Sequence, residues 1–332
     1  MPTPHPAAPP LWRRQLLLAA GAALTAPTIA LAQTPFPNKP LTMIVPYTAG
    51  GASDIGARMI GNEFGRQLGQ QLIVDNVSGA GGALGVQKLV RSAADGHTLL
   101  YGSLSEALLV PLINPQSGYK VEDLRPVAFL GSTPAVFVAR PDFPANSIDE
   151  FIALAKKSPG RFTYGSPGNG TFQHVMGEAF KAKAGVFMVH IPYRGGAQIL
   201  TDVIGDQIDL GITSAANAAG FVAGGRLKAI GVTSAKRLPT MPAAQAFGES
   251  KALQGLELST WGVAYAPAGT PEAVVARLNA ALNAALMLPA TVEQRARLGA
   301  ELPATLSVAQ TRDFVAAERA KYAPILRGLK FE

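Results

Sequence analysis

The chain has 332 residues, with 29 Lys and Arg against 22 Asp and Glu for a formal charge of +7, and it contains no cysteine. A chain of this length buries roughly three quarters of its unfolded surface and folds without a disulfide or metal staple. The missing cysteines exclude thiol catalysis, Cys-ligated zinc and iron–sulfur clusters, and four histidines leave little for a His-rich site, so neither metal nor cofactor is expected.

Residues 1–32 read as an export signal. Arg13 and Arg14 form the positive region, residues 16–24 the short apolar core, and Ala30-Leu31-Ala32 the small-x-small cleavage site. The arginine pair also suits a twin-arginine route. Cleavage leaves 300 residues with a charge of +5, starting at Gln33. No later stretch has the length and apolar character of a membrane helix, so the mature chain is expected in the periplasm, where the lack of thiols suits an oxidising compartment. Basic residues are spread out, without a run of five or interleaved aromatics, which disfavours a nucleic-acid partner.

Along the mature chain, short apolar runs end in Gly, Ser or Thr and lead into stretches with helical spacing, the pattern of parallel α/β layers. Strands are expected at 41–45, 72–74, 98–101 and 127–130, then at 162–164, 186–191, 210–213 and 229–232, in two sheets. Helix starts are marked by capping boxes at Ser147 and Ser307 and by Pro271 as a first helical residue after Thr270. Val274, Leu278, Leu282 and Leu286 form one core stripe of the helical tail. With no low-complexity linker, the boundary between lobes is expected at crossing strands around 133–140 and 258–266.

Small-residue loops lie where strands give way to helices: 47–54, 78–82, 102–105, 165–171 and 193–196. In open α/β sheets the carboxyl ends of strands form the ligand crevice, and helix N-termini favour anions. Phosphate cradling fits poorly, because no Walker pattern occurs and Leu84 stands where a dinucleotide fingerprint needs its third glycine.

The residues Phe36-Pro37-Asn38-Lys39-Pro40-Leu41, Ile44-Val45-Pro46-Tyr47 with Gly50-Gly51 and Ser53-Asp54, and Asp95-Gly96-His97-Thr98-Leu99-Leu100 come in that order. So do Gly165-Ser166 with Gly168, Pro192-Tyr193-Arg194-Gly195, Val232-Thr233-Ser234 and Ala266-Pro267-Ala268-Gly269-Thr270-Pro271. Together they resemble the solute receptors of tripartite tricarboxylate transporters, the Bug receptors, over nearly all of the mature chain. The resemblance implies a two-lobed periplasmic binding protein of type II-like fold, each lobe a mainly parallel sheet flanked by helices. Lobe I is then 33–135 plus 262–332, and lobe II is 136–261. It also implies a monomeric, non-catalytic receptor that closes on a small carboxylate and passes it to a membrane permease. The segment Met241-Pro242-Ala243-Ala244-Gln245 departs from the family pattern.

By the same resemblance, the ligand carboxylate is held by Tyr47, Thr48, Ala49, Gly50, Gly51 and Ser53 of one lobe. Ser166, Gly168, Asn169, Gly170 and Thr171 serve the other, with Ser105 beside them. Arg194, next to Gly195-Gly196 at a strand end, is a candidate for a second carboxylate or a solvated loop arginine. Asp54 is read as a cap for the following helix and Arg58 as its surface partner. Glu106 either points away from an anion cleft or favours a ligand carrying an amine or protonated ring. His174 reads as an orienting or solvated residue, and Trp261 and Tyr265 as core. Two rivals keep part of this reading: the same fold feeding a sensor kinase, and an exported hydrolase using Ser53, Ser103 or Ser166, none of which sits in a G-x-S-x-G elbow.

Overall fold

A computed structural model describes residues 1–4, 36–300 and 304–329. The chain divides into two units, Met1–Phe36 and Pro37–Glu332. The export-signal reading falls on residues that lie almost wholly outside the described ones, and the fold below is that of the second unit.

Strand β1 (Leu41–Val45) is a continuous apolar run with Leu41, Met43, Ile44 and Val45 all fully buried, as a strand covered on both faces requires. It pairs in parallel with β2 (Leu72–Asn76) and β3 (Thr98–Ser103). Between β1 and β2 runs helix α1 (Ala52–Leu68), ended by Gly69 in the left-handed conformation at φ 69°. Helix α2 (Ala83–Val90) follows β2. After β3 the chain enters a π-helical turn (Ser105–Leu109) that continues into Val110–Ile113.

The 16-residue strand β4 (Leu124–Ala139) serves both halves of the sheet. Its first part, through Pro134, pairs antiparallel with β10 (Ser259–Pro267), which also pairs antiparallel with β3. From Ala135 onward it lies between β7 (Leu210–Ser214) and β8 (Lys228–Val232). The second half continues from β7 to β5 (Thr163–Ser166) and β6 (Val189–Pro192) in parallel, while β8 carries the short β9 (Gln245–Ala246). Among the described residues the ten strands form the two expected sheets, which β4 connects into one continuous path. The two join because β4 is long enough to hand over its partners midway. Shortly before the handover, still in the part paired with β10, Gly131 (φ 115°) faces Gly262 and the register shifts at the next residue, leaving Leu130 as a bulge.

Helices α3 (Ile148–Lys157), α4 (Phe172–Ala184), α5 (Gly196–Ile204) and α6 (Ala215–Ala223) flank the second half. Ser147 caps α3 by accepting the Glu150 amide, but the Glu150 carboxylate turns to the Asn146 amide, so only half of the expected capping box forms. The expected strand at 186–191 starts later, at Val189, because the Val186 amide still closes the α4 terminus on the Lys181 carbonyl. The tail holds α7 (Glu272–Leu286), α8 (Pro289–Arg297) and α9 (Val308–Arg327). Pro271 is the N-cap of α7, one place earlier than expected, and Ser307 makes both bonds of its capping box on α9. Leu278, Leu282 and Leu286 are buried as the stripe requires, with Val275 taking the innermost place instead of Val274.

Buried Thr233 ties the crossing segments together. Its hydroxyl accepts from the Ala135 amide at 2.9 Å and donates to the Leu258 carbonyl at 2.7 Å, while its amide donates to the Ala135 carbonyl. This knot sits where β4 changes partners.

Candidate functional site

A cleft of ≈ 920 Å³, open mouth included, runs along the carboxyl ends of the strands between the two halves of the sheet. Its floor is the handover region: Leu130, Gly131, Ser132 and Thr133 of β4, with Thr260, Trp261 and Gly262 of β10. One wall comes from Tyr47 after β1, Gly51 and Ser53 at the start of α1, Tyr101 and Ser103 of β3, and Ser105 just beyond it. The opposite wall is Pro167 and Gln173 near the start of α4, Gly196 of α5, and Ser214 and Asn217 at the start of α6.

Among the described residues, four helices thus begin at this cleft: α1, α4, α5 and α6. Each N-terminus carries a partial positive charge and outward amides. Two of them are capped by side chains, Thr171 accepting from the His174 amide and Ser214 from the Asn217 amide. The other two start from glycine, Gly51 and Gly195, and have no side-chain cap in front of their first amides. An anion is the ligand such a cleft stabilises.

The walls touch. The Phe172 amide of α4 donates to Ser105 Oγ at 2.9 Å. A Cβ placed on Gly195 would stand 2.3 Å from Thr48 Oγ1, and one on Gly81 would stand 2.7 Å from the Asn169 carbonyl. These are the contacts of a closed cleft.

Of the residues expected at the site, Tyr47, Gly51, Ser53 and Ser105 line the cleft. Thr48, Ala49 and Gly50 shape the turn behind them. The Gly50 amide, at φ 79°, donates to Asp54 Oδ2, while Arg58 Nε donates to both oxygens of that carboxylate and Asn76 Nδ2 to Oδ1. Burial alone would raise the Asp54 carboxyl, but hydrogen bonds from Arg58, Gly50 and Asn76 outweigh it and hold it below the usual aspartate value. Asp54 therefore braces the loop from inside the first turn of α1. It does not occupy the cap position, which is Gly51.

Ser166, Gly168, Asn169, Gly170 and Thr171 do not line the cleft; Gly168, Asn169 and Thr171 pack on Gly81, and Gly170 on Val110. Ser166 Oγ lies 2.6 Å from His190 Nε2 and reaches the Gly168 carbonyl, but Ser166 is fully buried and offers no nucleophile to the cleft. His190 stacks on His174, with ring centroids 4.0 Å apart. The Gly170 amide donates to His174 Nδ1 at 3.1 Å, so the histidine orients this loop. Arg194 is exposed, does not line the cleft, and its amide donates to Gln198 Oε1.

Glu106 is fully buried and accepts from the Ser103 amide, from Ser103 Oγ at 2.6 Å and from the Tyr47 hydroxyl at 2.7 Å. Burial pushes its carboxyl up to about 7, against those hydrogen bonds. It stands behind the cleft wall and fixes two residues, Tyr47 and Ser103, that line it. Gly82 makes room for it, since a Cβ there would meet the Glu106 Cβ at 2.8 Å.

Several lining residues carry no local sequence signal. Tyr101 lies over α1, where a Cβ on Gly56 would stand 2.3 Å from its hydroxyl. Trp261 is buried as expected, donates Nε1 to Glu318 at 2.9 Å, and still presents a surface to the cleft. Arg295, at the end of α8, is buried and closes one side with Leu298 and Ala300. Ser214 and Asn217 repeat the strand-end-to-helix arrangement of the other loops and were legible in principle from the polar pair Thr213-Ser214 after an apolar run.

Comparison with known proteins shows the family and the fold. The family described as "Tripartite tricarboxylate transporter family receptor" matches residues 56–331. The chain belongs to this receptor family. Its fold is that of solved relatives at similar distance. The periplasmic binding protein BugD superposes with a TM-score of 0.81 at 30% identity, covering 90% of this chain and 100% of that one. MatC of Rhodopseudomonas palustris, solved with bound malate, gives 0.83 at 28% identity, covering 88% and 100%. A second R. palustris protein, solved with adipate, gives 0.84 at 28% identity, covering 89% and 99%. The chain has the mixed α/β fold of the periplasmic binding protein BugD.

Proposed function

We propose that the chain is a non-catalytic, monomeric receptor that is exported to the periplasm, closes on a small carboxylate and delivers it to the permease of a tripartite transporter. The observation that carries this reading is the convergence of four helix N-termini on a cleft that both halves of the sheet build. Amides and hydroxyls from Gly51, Ser53, Ser105, Gly196 and Ser214 take the carboxylate, directly or through water, and bridging water costs little affinity. The relatives solved with malate and adipate support a carboxylate as the ligand class. Acidic amino acids and aromatic carboxylates belong to the same class.

In this reading lobe I is 33–135 plus 262–332 and lobe II is 136–261, hinged where β4 passes from β10 to β7 and β8 between Pro134 and Ala135. Ligand binding favours the closed form by its differential affinity for it, and the closed form is what a permease recognises.

The test is a thermal-shift screen of the purified protein against di- and tricarboxylates, acidic amino acids and aromatic carboxylates, followed by calorimetry on any hit. Concentration-dependent stabilisation by at least one carboxylate is the expected outcome. A flat response across all three groups overturns the reading.

A further inference from the structure

We propose that the protein captures a proton together with its carboxylate ligand, and that the buried side chain of Glu106 is where the proton goes. This deepens the carboxylate-receptor reading and rests on it.

Glu106 is fully buried, yet one hydrogen bond links it to residues of the cleft wall. The Tyr47 hydroxyl donates to its Oε2 at 2.7 Å and Ser103 Oγ to the same oxygen at 2.6 Å, and both residues line the cleft. The Ser103 amide donates to Oε1. The other groups around it are Gly82 from the turn before α2, Tyr119 from the segment before β4, whose hydroxyl donates to the Glu106 carbonyl, and Tyr265 of β10. Burial holds the phenols of Tyr47, Tyr119 and Tyr265 above their ordinary value, so all three are neutral near pH 7. Among the described residues no lysine, arginine or histidine forms an ion pair with Glu106. Its carboxylate form thus has hydrogen bonds but no counter-charge, and a second anion in the adjacent closed cleft raises its energy further.

The same geometry accommodates the proton. A protonated Oε2 donates to the Tyr47 oxygen and still accepts from Ser103, while Tyr47 turns its own proton to the Gly81 carbonyl, 3.4 Å away. Both protonation states therefore keep these groups partnered. Gly81 in turn packs on the opposite wall, where a Cβ on it would stand 2.7 Å from the Asn169 carbonyl, so the relay ends at the seam between the walls. Burial raises the carboxyl to about 7 without help from a ligand charge. A bound carboxylate raises it further. Between those two values the liganded protein holds a proton that the free protein has released, so affinity is highest below about 7 and falls as pH rises beyond it.

The experiment is calorimetry on the purified protein with malate, adipate, glutamate and benzoate, each of which keeps a net negative charge from pH 6.5 to 8.5. The tightest of the four is then measured at pH 7.5 in two buffers of unlike ionisation enthalpy, and across that pH range in one. The heats should show uptake of about half a proton per ligand bound, and affinity should fall about fivefold over the range. Glu106→Gln, a neutral side chain of the same shape, should take up no proton and bind with an affinity that does not change with pH, its folding checked by circular dichroism. Binding without proton uptake in the wild type overturns the inference alone and leaves the carboxylate reading standing, and this arm needs no variant to fold. Uptake that persists in a folded Glu106→Gln protein also overturns it, because the proton then belongs to another group. Failure of the wild type to bind any of the four acids overturns both readings.

Discussion

The amide of Phe172, the first residue of α4, donates to the hydroxyl of Ser105 at 2.9 Å, joining the two walls of the cleft by one buried hydrogen bond. The bond exists only when the walls are together, so it contributes to closure and not to the fold of either wall. Ser105→Ala leaves a buried amide unpaired in the closed form, at a cost of about 1 kcal/mol. Carboxylate affinity should fall at least about fivefold, the share due to the lost wall-to-wall bond, and by the same factor for mono- and dicarboxylates. Calorimetry checks the size, and small-angle scattering with and without ligand checks that less protein is compact at a fixed concentration. A loss confined to dicarboxylates would contradict this assignment.

Thr233 ties the hinge through Ala135 and Leu258, and its hydroxyl is both donor and acceptor. Thr233→Val keeps the shape but strands the Ala135 amide and the Leu258 carbonyl, each otherwise satisfied by that oxygen. The expected loss is about 2 kcal/mol, several degrees in melting temperature for a protein of this size. Thr233→Ser should recover most of it. Equal melting temperatures for the Val and Ser variants would show that the hydroxyl is not what holds the crossing segments.

The strands with continuous apolar runs were legible because burial on both faces leaves an unbroken signature: 41–45 and 210–213 are read almost residue for residue. β4 was legible only in pieces. Pro126, Gly131 and Pro134 look like turn residues in a sequence, and the strand absorbs them by bulging at Leu130 and by changing partners after Pro134. The loops at the ends of β1 and β3 announced themselves through glycine and serine. Arg295 did not, because its place at the cleft comes from how α8 packs on the sheet, a long-range fact without local pattern. Arg194 sat in a suitable motif and points elsewhere.

Two buried groups give opposite pH dependences. His174 is 2% exposed and accepts the Gly170 amide on Nδ1, so a proton there breaks a bond. Burial lowers it from the usual value near 6.5 to about 4. Between those values the unfolded chain takes up a proton that the folded chain refuses, so stability falls as pH drops, by about 1.4 kcal/mol per unit for this residue. Glu106, raised to about 7, runs the other way. Its folded form keeps a proton that the unfolded chain has lost, so its contribution is complete below about 4.5 and disappears as pH rises through 7. Urea unfolding from pH 4.5 to 8 should therefore show a shallower acid decline in His174→Gln and a shallower alkaline decline in Glu106→Gln. Slopes identical to wild type in either variant would remove that residue from the account.

Gly195 and Thr48 offer the sharpest probe of closure. Gly195 has φ 175°, an extended conformation that any residue adopts, so alanine there carries no backbone strain. Its Cβ would nevertheless stand 2.3 Å from Thr48 Oγ1 across the cleft, a clash that arises only when the walls meet. Gly195→Ala should leave the melting temperature of the ligand-free protein nearly unchanged and weaken carboxylate binding by about tenfold or more, on the scale of an overpacked contact. Thr48→Ala removes the offending oxygen and leaves its Cβ at 3.4 Å from the new methyl group. The double variant should therefore bind several-fold better than Gly195→Ala alone, a coupling that a double-mutant cycle by calorimetry measures directly. Additive losses would mean that these two residues do not meet in the liganded state.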